Sequence, residues 1–122
     1  MLTIYHNPYC SKSRGALERV RQFAARLAIE AHVIDYQQTP LTEAQLRALH
    51  AALQWAGPCA VRDMVRSGEA AYEQLQLAQA GDDALFAALA AHPALLQRPI
   101  VQFRGRAVIA RPPEQVERIL ED

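Results

Sequence analysis

Apolar positions crowd into Leu2–His6, a short β-prone run that predicts a first strand, and Asn7-Pro8 breaks it. From Ser11 the period changes. Leu17, Val20, Ala24 and Leu27 recur at spacings of three and four, one buried helix face, which leaves Arg14, Glu18, Arg19 and Arg21 for the wet side. His32–Tyr36, centred on Val33 and Ile34, predicts a second strand. The chain therefore opens β-loop-α-β, the order of a parallel pair with a right-handed crossover.

The middle of the chain carries helical periods and no strand signal. Thr42 with Gln45 three positions on is a capping-box pattern, and Leu46, Leu49 and Leu53 form the apolar face of the helix it starts. Gly57-Pro58 ends that helix. Short helices are predicted from about Ala60 to Arg66 and over Ala70–Gln74. Another starts at Asp82 or Asp83, with Leu85, Phe86 and Leu89 on its buried face, and Pro93 ends or restarts it. Strand signal returns at Ile100–Arg104. Gly105-Arg106 reads as a compact turn, and Ala107–Ala110 can pair back as a hairpin. Pro112 or Pro113 opens a last helix through Val116, Ile119 and Leu120. The order is β-α-β, a helical insert, then β-β-α. That predicts an α/β fold: a four-stranded mixed sheet with flanking helices on the thioredoxin-like plan, carrying an inserted helical subdomain. A single domain over residues 1–122 is expected, with its core at about 1–38 and 98–122 and the insert at about 41–97.

Composition narrows the function classes. Lys plus Arg and Asp plus Glu both number 13, so nothing global favours nucleic acid or an anionic membrane as partner, and any anion site must be local. The start of the chain has neither a basic region nor a long apolar run, and no stretch reaches the roughly 20 apolar residues that span a bilayer. A cytoplasmic location is the expectation, and a monomer is the default. Two cysteines, Cys10 and Cys59, are too few for a disulfide scaffold. His6, His32, His50 and His92 share no ligand spacing with them, so no metal is expected.

The sharpest chemical feature is His6-Asn7-Pro8-Tyr9-Cys10-Ser11-Lys12-Ser13-Arg14. Cys10 follows a strand and a loop and immediately precedes a helix. Helix N-termini present unpaired N–H groups and partial positive charge, which favour a thiolate and can also hold an oxyanion. Lys12 and Arg14 add charge nearby. Cys10 is thus a candidate nucleophile inside an anion cradle made by Ser11, Lys12, Ser13 and Arg14. Cys59, just after Gly57-Pro58, reads as a packed or partly exposed residue.

Ile4–Arg14, Ile-Tyr-His-Asn-Pro-Tyr-Cys-Ser-Lys-Ser-Arg, resembles the active-site loop of the ArsC-type arsenate reductases. Further motifs follow in that family's order. They are Val61-Arg62-Asp63-Met64-Val65-Arg66, Tyr72–Leu77, His92-Pro93 with Gln97-Arg98-Pro99-Ile100-Val101, and Ala110-Arg111-Pro112-Pro113-Glu114-Gln115-Val116. The resemblance implies that Cys10 attacks arsenate held by Arg62, Arg98 and Arg111, with Arg66 one turn from Arg62 and able to share its role. It implies no bound cofactor, glutathione as co-substrate and glutaredoxin as partner. His6 matches a histidine that assists thiolate formation, and Pro99 is the candidate for a cis proline beside the active cysteine. Planar guanidinium groups suit this work because they bind oxyanions in bidentate fashion.

Two departures stand out. Ser11-Lys12 replaces the Gly-Thr of the best-known arsenate reductases, and the stretch from Ala16 to Ala31 is longer by about one helical turn and lacks a C-cap glycine. Two other functions stay open. One is a different glutathione-linked thiol oxidoreductase on the same fold. The other is a regulator that binds RNA polymerase, like the similar Spx-type proteins. Many of those carry Cys-x-x-Cys, whereas the second position here is Ser13.

Overall fold

A computed structural model describes residues 2–120. Four strands form one sheet in the order β2-β1-β3-β4. β1 (Leu2–His6) pairs in parallel with β2 (Ala31–Asp35) and antiparallel with β3 (Ile100–Phe103), which turns back into β4 (Arg106–Ile109). The long helix α1 (Ser11–Leu27) joins the parallel pair. The insert between β2 and β3 supplies α2 (Glu43–Leu53), α3 (Ala70–Gln74) and α4 (Asp82–Ala91), and α5 (Val116–Leu120) closes the described chain. This is the thioredoxin-like mixed sheet with an inserted helical layer. No helix among the described residues is long and apolar enough to cross a membrane.

The two faces of the sheet bury two separate cores, because successive side chains of a strand point to opposite sides. Leu2, Ile4, Val101, Phe103 and Val108 pack with Val20 and Phe23 of α1 and with Val116 and Ile119 of α5. Tyr5, Ile100, Ala107 and Ile109 face the other way, onto Leu46, Leu49, Leu85, Leu89 and Met64 of the insert. Phe23 meets Phe103 edge to face with ring centroids 5.6 Å apart, a favourable aromatic geometry. Arg19 ties α1 to the C-terminal segment through Glu117 at 2.9 Å and Glu114 at 3.3 Å. Those exposed pairs contribute at most about 1 kcal/mol each.

Several elements depart from the periodic reading. Leu27 is expected on the buried face of α1 but is 49% exposed, at the last residue of the helix. Strand β2 runs one residue earlier than expected and leaves Tyr36 just beyond it. It is an edge strand, and its central Val33 is exposed. The predicted helix from Ala60 to Arg66 is only a 3-10 turn at Val61–Met64, after which Val65 is extended and bridges Leu96. The β3–β4 turn is Arg104-Gly105, not Gly105-Arg106, with φ of 53° and 76°. A two-residue hairpin matches the strand twist when both turn residues have positive φ, and the glycine supplies one of them without strain.

The capping box at Thr42 forms as its spacing predicts, with Gln45 N–H donating to Thr42 Oγ1 at 3.1 Å. Helix α1 ends without glycine: Ala28 takes φ 55° and ψ 41°, and Ile29 N–H reaches back to Ala24 O at 3.0 Å. This is a Schellman ending built on a residue whose Cβ opposes it. A left-handed L-residue costs roughly 1–2 kcal/mol, against roughly 0.5–1 kcal/mol for the extra freedom a glycine loses. Ala28→Gly is therefore expected to raise the unfolding free energy by about 0.5–1 kcal/mol in urea titration. A lower midpoint would mean that the Ala28 methyl makes a compensating contact.

Candidate active site

The loop between β1 and α1 is held by its own polar groups. Cys10 N–H donates to Asn7 O at 3.1 Å, closing a turn with Pro8 in its second position, where a fixed φ suits it. The Asn7 side chain accepts from Tyr9 N–H at 3.0 Å, and Arg14 Nη1 donates to Pro8 O at 3.0 Å. Beneath the loop, the fully buried Ser13 accepts from Asn7 N–H at 3.0 Å and lies 2.7 Å from His6 Nδ1. Burial lowers the His6 pKa, and the Asp35 carboxylate opposite it in the strand register only partly offsets this. Burial thus favours the neutral ring, which is hydrogen-bonded to the Ser13 hydroxyl.

Cys10 is the N-cap residue of α1, the position whose side chain ordinarily accepts from the second or third helical N–H. Here no side-chain capping bond forms, and the sulfur stands beside the open N–H groups of Lys12 and Ser13. Burial raises the thiol pKa, but the N–H groups of Ser13 and Lys12 and the Arg98 guanidinium beside the sulfur outweigh it, so the net direction is down. At Cys59 burial raises the pKa and the Asp63 carboxylate raises it further. Both cysteines are free.

The arginines come from three chain segments brought to the rim of the sheet. Tyr5 faces Ile100 across β1 and β3, so Arg98, two residues earlier, stands beside the Cys10 loop. The Arg98–Pro99 bond is cis, as is Arg111–Pro112. Ala110 N–H donates to Pro99 O at 2.8 Å, which sets Arg111 against Arg98, and Arg111 Nη1 donates to Arg98 O at 3.2 Å. Arg66 arrives from the insert. Its N–H donates to Leu95 O at 2.7 Å while Gln97 N–H donates to Met64 O at 2.8 Å, a two-bond clamp around the Val65–Leu96 bridge. Arg66, Ser67, Gly68, Gln97, Ile109 and Arg111 then line an open cleft of about 400 Å³. Arg98 joins this cleft to the thiol: its guanidinium lies by Cys10 and its carbonyl holds Arg111.

Arg62, expected here, does not line this cleft, whereas Arg66 does. The Arg62 guanidinium turns into the insert and donates to Leu77 O and Ala80 O, both at 2.8 Å, and to Tyr72 Oη at 3.1 Å. With its fork engaged on three protein oxygens, it ties α3 to the following turn. Arg14 braces the loop through Pro8, and the Ser13 hydroxyl binds His6 and Asn7, so at these two positions the side chains work behind the cradle. The Ser11 and Lys12 side chains are exposed. Cys59 is bound into the end of α2, with its carbonyl accepting from His50 at 2.7 Å. Two further residues that the motifs do not mark border this region, Gln97 in the cleft and Tyr36 beside Arg98. Tyr36 directly follows a parallel strand, and the carboxyl ends of parallel strands are where sites gather.

A model of the ArsC family matches residues 5–119 of the chain. A protein of Escherichia coli strain K12 named only as uncharacterised, YfgD, is 40% identical over 96% of this chain and 94% of its own length. An arsenate reductase of Neisseria meningitidis serogroup A is 39% identical over 98% of this chain and 97% of its own. Among solved structures, an arsenate reductase from Vibrio cholerae is 44% identical and superposes with a TM-score of 0.84 over 97% of this chain and 96% of that one.

The opposite shifts at the two thiols set an expectation. Because only thiolate is alkylated, Cys10 should react with iodoacetamide well before Cys59 at neutral pH, and its rate should level off at a lower pH than a simple thiol's. Arg98→Met removes one source of that stabilisation and should move the levelling-off upward. Peptide mass mapping over a pH series reads both effects, and faster labelling of Cys59 would contradict the assignment.

Proposed function

The chain belongs to the ArsC family, and from that premise we propose that it is a thiol-based arsenate reductase in which Cys10 is the nucleophile. The observation that carries the reading is Cys10 at the N-cap of α1 with its pKa lowered, next to Arg98 and the cleft of Arg66 and Arg111. An enzyme of oxyanion chemistry needs this pair of features, a sulfur nucleophile and fixed positive charge for the oxygens.

The arsenate oxygens are held by Arg98, Arg111 and Arg66. The Cys10 thiolate attacks arsenic, an S–As bond forms, and one oxygen leaves as water with protons drawn from solvent. Arsenic is still pentavalent at this point. Glutathione thiol then supplies the second sulfur. The two sulfurs give up one electron each, arsenic leaves as trivalent arsenite, and a mixed disulfide between Cys10 and glutathione remains for glutaredoxin to reduce. His6 and Ser13 act from behind, fixing the Asn7 backbone and the first turn of α1, so that the amides facing the sulfur stay in place.

The test is arsenite formation from arsenate by purified protein with glutathione and glutaredoxin, run beside Cys10→Ser and with glutaredoxin omitted. Turnover that needs Cys10 and glutaredoxin is expected. No turnover by protein whose Cys10 is reactive would assign the thiol to another substrate. The two neighbouring arginines sharpen the test. Arg66→Met should lower kcat/KM by about tenfold or more, the value of a charged hydrogen bond. Arg62→Met should leave kcat/KM within about threefold while costing about 1–3 kcal/mol of stability through the orphaned carbonyls. The reverse pattern would restore Arg62 to the site.

A further inference from the structure

Tyr36 is 1% exposed, and its ring belongs to the insert-facing core. It follows Asp35, which lies level with His6 in the parallel register of β1 and β2. Continuing that register sets Tyr36 beside Asn7. On the other side of β1 the antiparallel register sets Arg98 at the same height. Tyr36, the cysteine loop and Arg98 therefore share one rim of the sheet.

Among the described residues the buried Tyr36 hydroxyl has no hydrogen-bond partner, and neither has the buried Arg98 Nε. Buried polar atoms are seldom left unmatched, and two together at one rim call for a ligand that serves both. The charges acting on the hydroxyl come from Arg98 and Arg66, and the Arg98 guanidinium and the Gln37 side chain both stand near it without completing a bond. Guanidinium groups only donate, so neither arginine can take the hydroxyl proton. What both unfilled donors lack is an acceptor.

We infer that Tyr36 contacts the substrate: its hydroxyl donates a hydrogen bond to one oxygen of the tetrahedral oxyanion bound at Cys10, while Arg98 Nε–H donates to another. The inference rests on the oxyanion reading of the site given above and adds a neutral donor to its cations. Burial pushes the Tyr36 pKa up, with Arg98 only partly opposing, so the group keeps its proton at neutral pH. A neutral donor fits here because it satisfies an anion oxygen without adding a further cation to a rim that already holds Arg66, Arg98 and Arg111. Its place in the core also fixes the hydroxyl before any ligand arrives, which spares the entropy of ordering it.

Tyr36→Phe tests this with little disturbance, because it deletes one unpartnered atom and keeps the ring. The readout is protection of Cys10 from iodoacetamide by sodium arsenate, without glutathione, followed by peptide mass mapping and paired with urea titration of each protein. The half-protecting arsenate concentration is expected to rise by about tenfold or more in Tyr36→Phe, as for loss of a hydrogen bond to a charged group. The urea midpoint is expected to stay level or rise, since an unsatisfied buried hydroxyl is removed. Equal protection of both proteins would overturn the inference, and so would protection and stability falling together, the mark of a purely structural tyrosine. Absence of arsenate protection in the unaltered protein would overturn it too, whereas the reductase reading is decided separately by the turnover assay.

Discussion

A helix whose first turn ends in open N–H groups favours negative charge beside them, and in α1 the group placed there without a capping bond is the sulfur of Cys10. The rest of the site follows from that placement. An oxygen side chain at the N-cap would satisfy the same amides as a neutral group or a carboxylate. A thiol satisfies them best once it has lost its proton, so capping energy becomes acidity. For this to work, the loop before the helix must hold the sulfur against the amides. The Asn7–Cys10 turn, the Asn7 side chain on Tyr9, the Arg14 brace on Pro8 and the buried Ser13 all do so. Tyr9 is left outside at 89% exposure, which keeps the approach to the sulfur free of packed core.

The same rim gathers three cations in a chain whose formal net charge is zero. Like charges this close repel one another unless something else holds them, and backbone carbonyls do part of that. Arg111 rests on Arg98 O, and Arg98 Nη1 reaches Ala94 O at 3.4 Å. The insert does the remainder. The Val65–Leu96 bridge, with its bonds from Arg66 N–H and Gln97 N–H, fixes Arg66 against the segment that leads into Arg98. The helical layer is therefore a working part of the site, because one wall of the arginine cleft belongs to it.

The long elements were legible in the chain because their periods are long. The face of α2 and its capping box, the face of α4 and the strands β1 and β3 needed only spacing. Cys10 was legible too, since a cysteine between a strand and a helical period lands at an N-cap. The turn between β3 and β4 was not. Arg104-Gly105 and Gly105-Arg106 are both plausible turn pairs, and only the register of Ile100 with Ile109 separates them. Tyr36 was hidden for a different reason. As an aromatic at the end of a strand signal it looks like core, and its ring is core; only the unpartnered hydroxyl marks it as more.

The divergence of Arg62 and Arg66 shows where spacing stops being informative. If residues 60–66 formed one helix, the two arginines would lie a turn apart on one face and could serve one ligand together. The 3-10 turn ends at Met64, and Val65 is extended with φ −108° and ψ 132°. One extended residue is enough to redirect everything after it, so Arg66 leaves toward the sheet rim while Arg62 stays with Leu77 and Ala80 in the insert. What stops the helix is tertiary: Val65 gains a bridge to Leu96, and Met64 and Val65 are buried between insert and sheet. Burial and two backbone bonds outweigh the modest helical propensity of a six-residue stretch, which is too short to be stable alone. Two arginines four residues apart thus acquire opposite work, one binding the fold and the other facing the cleft.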